Sequence, residues 1–435
     1  MKSIKLYHHF VLLFFIVLIN PLSGPGQTIS HSFIYGDLLP DAPELAARGE
    51  FLVGVRTLNL VHKNQPDIVN FTGENSPEYD RPLKVEVWYP AEIRSQGKTR
   101  YKDYLGVENS KNRPLIPFFF DGRAERDVPP KDDEGAFPLV IVSHGYLGSR
   151  YLMTYLTENL ASKGYIVAAI HHTESTHEDA GKFASTLYHR PKDDLFVLNE
   201  LDKMGSKSGD GFLAGMIDAE NTAVIGYSMG GYGALNVAGA GFSPGFINAF
   251  SQMTDGSDLL TERSLENPSY AGTIDPRIKA VVAFAPWGMA RGVWDIEGLA
   301  NIKLPVFFVA GDQDDISGYG DGIKAIFDGA VNTNRYLLTY KNARHNVAPN
   351  PPPLEAFQKG VHLDEYMHYA EPVWDQRRIN NINQHFITAY LGIHLKGKDY
   401  SSYMDLPEDA LEETWKGFKP RTSIGLELEY LEGQN

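Results

Sequence analysis

Ala223-Val-Ile-Gly-Tyr-Ser-Met-Gly-Gly-Tyr-Gly-Ala-Leu-Asn-Val-Ala238 decides how this chain folds. Ala223-Val224-Ile225 is a short apolar run suited to a buried strand, and Tyr232-Gly-Ala-Leu-Asn-Val-Ala238 reads as a helix. Between them lies Gly226-Tyr227-Ser228-Met229-Gly230, a G-x-S-x-G turn. Its glycines relieve crowding at a bend sharp enough to lift the Ser228 hydroxyl above a sheet edge. A bare G-x-S-x-G arises by chance, so the flanking strand and helix carry the inference that Ser228 is a nucleophile.

Working outward, the same alternation recurs. Phe137–Ser143, Tyr165–Ile170, Ile278–Ala285, Leu304–Ala310 and Arg335–Tyr340 are short apolar runs. Helical stretches are expected near 150–163, 320–329 and 375–391, the last with Ile379, Ile382, Phe386 and Tyr390 on one stripe. Strands apolar throughout and alternating with helices predict a mostly parallel sheet covered on both faces. Upstream, Phe51–Leu60 and Leu83–Tyr89 alternate with period two and read as an opening antiparallel pair. The stretch from Pro90 to Gly135 reads as irregular, with Pro117-Phe-Phe-Phe120 as loop packing. Two segments interrupt the alternation, about 173–220 and 242–275. Ligands of open α/β sheets bind beyond the carboxyl ends of the strands, so 242–275, following the elbow helix, is a candidate lid. Leu406–Trp415 suggests a short helix and Ile424–Tyr430 a strand, both in an extension from about 398 that packs on the core.

The chain has 435 residues, 43% of them hydrophobic, with no internal repeat and no low-complexity linker, which favours one enlarged α/β domain over 27–397. Lys2, Lys5 and two histidines precede ten apolar residues, Phe10–Ile19, and the breaker-rich Asn20–Gly26. This is the pattern of a secretory signal peptide over 1–26, too short in its apolar part for a stable membrane anchor. A secreted or periplasmic protein is expected, and with no cysteine its stability comes from the core rather than from cross-links. The formal net charge is −15. Residues 1–26 hold two lysines and no acid, so the remainder carries −17. That balance argues against nucleic acid and anionic membranes as partners and for simple solubility.

A serine hydroxyl is a poor nucleophile at neutral pH and needs a base, which in turn needs an acid to hold its tautomer. Where such an elbow occurs, acid and His follow the Ser in chain order. Strand 304–310 runs into Gly311-Asp312-Gln313-Asp314-Asp315, three candidate carboxylates. Strand 335–340 runs into Asn342-Ala343-Arg344-His345, and His345 is the only His between the acids and the Pro-rich 349–353. Oxyanion donors are expected at the backbone N–H of Met229, after the nucleophile, and of Tyr146, in the loop His144-Gly145-Tyr146-Leu147-Gly148 after strand 137–143. His144 reads as a structural side chain bonded to that loop. The scheme calls for no metal or cofactor.

His144–Arg150, Tyr165-Ile-Val-Ala-Ala169, the elbow and Val85-Glu-Val-Trp-Tyr-Pro-Ala91 resemble the secreted α/β-hydrolases that include dienelactone-hydrolase-like proteins and platelet-activating-factor acetylhydrolases, over roughly residues 50–395. The resemblance implies an α/β-hydrolase fold with inserted lid-like segments. Asp314-x-Ile-x-Gly318 is similar to the Asp-x-Val-x-Pro pattern at the triad acid of many α/β-hydrolases and selects Asp314, with Asp312 and Asp315 left as alternatives. Gly226–Gly231, Ala285-Pro-Trp287 and Asn342–Asn350 look like cutinase-like polyester hydrolases. In those enzymes the residues matching Tyr146 and Trp287 are aromatic walls beside the scissile ester, which implies that Tyr146 and Trp287 bind substrate here. Segment 242–275, the long spacing from elbow to acid, the missing disulfide and the C-terminal extension depart from that group and count against an open polymer groove. True dienelactone hydrolases use Cys, which this chain lacks, so any covalent step falls to Ser228.

The expected activity is hydrolysis of a small or polymeric carboxylic ester through an acyl-enzyme on Ser228. An exported serine peptidase is the alternative on the same triad, set back by the absence of room for an N-terminal propeller. A catalytically silent binding protein on the same scaffold is the other, set back by the cost of keeping a strained turn without using it.

Overall fold

The computed structural model describes residues 33–73, 75–92, 98–131, 134–207, 211–270, 274–405 and 414–434. The signal-peptide reading of 1–26 and most of the helix expected at 406–415 lie outside them. Twelve strands occur among the described residues: β1 Leu52–Pro66, β2 Glu78–Ala91, β3 Arg100–Leu105, β4 Ile116–Asp121, β5 Glu125–Arg126, β6 Phe137–Ser143, β7 Ile166–His171, β8 Ile217–Tyr227, β9 Ile278–Phe284, β10 Val306–Gly311, β11 Arg335–Tyr340 and β12 Leu426–Leu431. The helices that matter for the site are α1 Thr154–Ser162, α2 Phe183–Gly205, α3 Met229–Val237, α4 Pro244–Met253, and, further on, the short α5 Ile296–Ala300, α6 Ala325–Gly329 and α7 Leu363–Met367, then α8 Gln376–Lys396.

Ten strands form one sheet in the order β12-β11-β10-β9-β8-β6-β7-β2-β1-β5. The central strands β7, β6, β8, β9, β10 and β11 are mutually parallel, while β2 runs antiparallel to both β7 and β1. Every residue of β6, β10 and the second half of β8 is buried, as two-sided cover requires. Helix α1 packs on α8, and α2 packs on α3. This is an α/β-hydrolase fold. Chain order reverses around β6: the chain passes from β6 to β7 on one side, then returns to β8 on the other. The loops after β6 and β8 therefore diverge at a switch point, where a crevice opens at the carboxyl ends of the strands.

Several expectations need correcting. Residues 90–135 are not irregular throughout: β3 and β4 pair as a hairpin, with Phe118–Phe120 inside β4. Segment 173–220 contains α2, 23 residues long, which tolerates Pro191 on its way. In place of the regular helix expected at 320–329, Tyr319–Lys324 is a π-helical turn leading into α6. Segment 242–275 folds as α4, capped by the Ser243 hydroxyl, plus a 3-10 turn at Leu259–Arg263. It buries Phe246 and Phe250 and is tied by Arg263 to the Asn236 carbonyl at the end of α3. The C-terminal extension adds β12 antiparallel to β11 and lays Trp415 and Phe418 on Phe386 of α8. Among the described residues no helix is long and apolar enough to cross a membrane.

Candidate active site

Ser228 occupies the bend between β8 and α3 with φ +53° and ψ −110°, a left-handed region that costs a non-glycine residue of order 1–3 kcal/mol. Two neighbouring glycines make the bend possible. A Cβ at Gly226 would strike the Gly230 carbonyl, and one at Gly230 would strike the Ser143 carbonyl of β6. The turn is pinned by the Ser228 N–H donating to the Phe284 carbonyl (2.9 Å) and by the Trp287 N–H donating to the Ser228 carbonyl (3.2 Å).

His345, in the loop after β11, places Nε2 3.0 Å from the Ser228 hydroxyl and Nδ1 2.8 Å from Asp314 Oδ2. Three side chains separated by up to 117 positions in the chain thus form one hydrogen-bonded row. The structure also separates the three candidate acids. Asp314, after β10, turns its other oxygen to the N–H groups of Ile316 (2.9 Å) and Ser317 (2.8 Å). Asp312 accepts from the Asn342 N–H and faces Lys341, and Asp315 pairs with Arg344. Burial works to raise the Asp314 carboxyl. The His345 hydrogen bond and charge and the two N–H groups outweigh it and hold the group below its usual range.

Ser228 and His345 are only 6% and 8% exposed, yet both line a cavity of about 350 Å³. Tyr146 and Tyr227 line it with them. The remaining wall comes from Ile316, Asn346, Met367 and His368, with Arg113, Asp315, Arg344 and Asp364 as charged members. Segment 242–275 contributes no described residue to this lining, so the cover over the site is not the expected lid. It is the stretch around α7, tied to the β3–β4 hairpin by Glu365, which accepts from Arg113 Nε (2.6 Å) and the Gly106 N–H (2.7 Å). Nothing in the polar, aperiodic stretch 351–374 signals this in the sequence.

Met229 and Tyr146, the residues expected to supply oxyanion donors, both lie close to Ser228. Met229 begins α3, where first-turn N–H groups lack an intrahelical acceptor. Tyr146 lines the cavity beside Ser228. Among the described residues no backbone carbonyl accepts the N–H of either. Trp287 is placed differently from the expectation, because it is not part of the cavity lining. Its ring meets Phe183 at 5.3 Å, and Phe183 in turn meets Tyr146 at 5.3 Å, both edge to face, so Phe183 bridges the two aromatic residues.

Behind the Tyr146 loop lies a second Ser-His-Asp row, sealed from solvent. Ser143 Oγ is 2.9 Å from His172 Nε2, and His172 Nδ1 is 2.9 Å from Asp193 Oδ2. Burial, reinforced by the nearby Arg190 charge, pushes His172 down to about 3. The neutral ring therefore donates from Nδ1 to Asp193 and accepts the Ser143 hydroxyl at Nε2. His144 is also kept neutral, chiefly by burial. Its Nδ1 donates to the Gly145 carbonyl (2.6 Å) and its Nε2 accepts the His172 N–H (3.2 Å), a bonding pattern that occupies both nitrogens and ties the loop to the end of β7. Arg190 Nη1 donates to the His144 carbonyl at 2.6 Å, backing the loop from the α2 side.

With this geometry in hand, the relatives are informative. Residues 127–250 match a family model described as PET hydrolase-like. The cutinase est1 of Thermobifida alba is 24% identical over 220 residues, which cover 50% of this chain and 56% of that enzyme. A bis(hydroxyethyl) terephthalate hydrolase of Streptomyces coelicolor is 22% identical over 280 residues, covering 64% and 71%. Among solved structures, a ferulic acid esterase from Streptomyces cinnamoneus superposes with a TM-score of 0.54 at 19% identity, covering 85% of this chain and 97% of that one. The fold is that of the α/β-hydrolases, and residues 127–250 are similar to the PET hydrolase-like family, while the chain spans little more than half the length of the Thermobifida cutinase.

Proposed function

We propose that the protein hydrolyses carboxylic esters through an acyl-enzyme on Ser228. The observation that carries this reading is the continuous row Ser228–His345–Asp314, at 3.0 and 2.8 Å, opening into a cavity. His345 Nε2 takes the Ser228 proton as Oγ attacks the ester carbonyl. Asp314 accepts from Nδ1–H, fixing the tautomer that leaves Nε2 free and stabilising the imidazolium that forms. The N–H groups of Met229 and Tyr146 face the developing oxyanion. His345 then protonates the departing alcohol, and water, deprotonated by the same His, attacks the acyl-enzyme and restores Ser228.

The names of the relatives direct attention to cutin-type, terephthalate and ferulate esters, and Tyr146, Tyr227, Ile316 and Met367 in the cavity wall support an acyl group with an apolar or aromatic part. A cavity of about 350 Å³ suits one small ester unit at a time. The basic start and ten-residue apolar run before Asn20 support export.

The reading is tested by incubating the enzyme with a fluorophosphonate and locating the adduct by mass spectrometry, alongside turnover of p-nitrophenyl esters and p-nitroanilides. Expected are a single adduct on Ser228 and ester turnover far above anilide turnover. An unlabelled protein, or one active on anilides alone, would end it.

A further inference from the structure

The base of the row sits on a loop, and a loop alone does not hold an imidazole to hydrogen-bonding tolerance. Glu371, between α7 and α8, is 5% exposed and faces that loop. One of its oxygens accepts the Arg344 N–H and the other the Asn346 N–H, each at 2.6 Å. These are the two residues flanking His345, so a single carboxylate brackets the base. The fit uses both acceptors of the carboxylate, one oxygen for each N–H.

A second set of bonds reaches the same loop. The Asn346 amide nitrogen donates to the Met367 and Ala370 carbonyls, and its oxygen accepts from the Tyr227 hydroxyl (2.9 Å), the residue next to the nucleophile. Gln376 Nε2 donates to the Asn346 carbonyl at 3.0 Å. Segment 367–376 thus holds the residues on either side of His345 and is linked through Asn346 and Tyr227 to the Ser228 turn.

We propose that Glu371 is the positioning residue of the catalytic base, fixing His345 against Ser228 by clamping the N–H groups of Arg344 and Asn346. This rests on the Ser228–His345–Asp314 reading above. Glu371 touches no reacting atom. It acts by keeping Nε2 within reach of the Ser228 hydroxyl, and displacements of about 1 Å at such a contact cost on the order of 100-fold in rate.

The test compares wild type with Glu371→Gln, Glu371→Asp and Ser228→Ala, measuring kcat and KM on a p-nitrophenyl ester and Tm for each. In Glu371→Gln an NH2 group must face one of the two N–H donors, and in Glu371→Asp the shorter side chain reaches only one. Both are expected to lower kcat about 10- to 100-fold with KM within about twofold, since Glu371 itself is not part of the cavity wall. Wild-type kcat in a folded Glu371→Gln variant overturns the proposal. So does a KM rise that accounts for the whole loss, and so does collapse of the fold in both variants, which would make Glu371 a residue of stability alone. Turnover retained by Ser228→Ala would instead sink the triad reading on which the proposal stands.

Discussion

Asp314→Asn is expected to lower kcat about 10⁴-fold while leaving KM nearly unchanged, and Asp312→Asn and Asp315→Asn to stay within a few-fold of wild type. The asymmetry follows from what each carboxylate touches. Asp314 Oδ2 accepts from His345 Nδ1 at 2.8 Å. An Asn amide rotated to keep the two N–H bonds of Ile316 and Ser317 on its oxygen would turn NH2 toward the ring. That arrangement selects the tautomer with the proton on Nε2, which can no longer take the Ser228 proton. The fold is spared, because an amide fills the same space. Asp312 serves the turn at Asn342, and Asp315 forms an ion pair with Arg344 that is partly solvated on both sides. Exposed pairs of that kind are worth little. Steady-state kinetics on the three variants decides the matter: an equal loss in all three, or a loss confined to Asp315→Asn, would mean the acid has been misplaced.

How much of this was legible in the sequence varies with how local the signal is. The Ser228 turn is encoded within a dozen residues, because the glycines that permit it are adjacent to the serine that uses it. The same holds for β6, β7, β9, β10 and β11, whose unbroken apolar runs leave few other ways to fold. The choice among Asp312, Asp314 and Asp315 came only from a pattern, since successive residues of a turn point in different directions and spacing does not say which one faces His345. Helix α2 escaped notice because its buried face carries His189, Arg190, Asp193 and Asp194, charged residues that read as solvent-facing until Arg81, 112 positions earlier, is brought against Asp193. The wall around α7 had no local signature at all. Glu365 and Glu371 look like surface acids, and their roles come from backbone N–H groups supplied by the β3–β4 hairpin and the His345 loop. The sequence places Trp287 at the end of β9, but Phe183, from a helix with no clear apolar periodicity, separates it from Tyr146.

Arg81→Met should destabilise the protein by about 3–5 kcal/mol, the usual cost of stripping one partner from a buried ion pair, lowering Tm by on the order of 5 °C in a chain of this size. Arg81 is 1% exposed and meets Asp193 through two bonds, Nε to Oδ1 (2.9 Å) and Nη2 to Oδ2 (3.0 Å). It also donates to the Thr173 carbonyl and the Tyr79 hydroxyl. Without it the hydrogen bond that Asp193 keeps among the described residues is the one from the neutral His172. Asp194 beside it is pushed up to about 8 by burial, with the Asp193 charge adding to the effect against the pull of Arg190, so at pH 7 it is protonated and places no second negative charge beside Asp193. The loss has a pH signature. Burial favours the protonated form of Asp193, but the charge and hydrogen bonds of Arg81 and the hydrogen bond from His172 prevail and hold its carboxyl well below the usual range. A depressed carboxyl contributes its full stability above its unfolded value, about 4, and loses it as pH falls below that. The gap in stability between wild type and Arg81→Met is therefore expected to be widest near pH 7 and to narrow toward pH 3. The loss reaches the active site as well, since His172 holds Ser143 at the end of β6 and, through its N–H, His144 in the Tyr146 loop. Urea titrations of both proteins at pH 7, 5 and 3 check the argument, and a gap that is absent at pH 7, or that grows on acidification, would show that the Arg81–Asp193 pair does not stabilise this side of the fold.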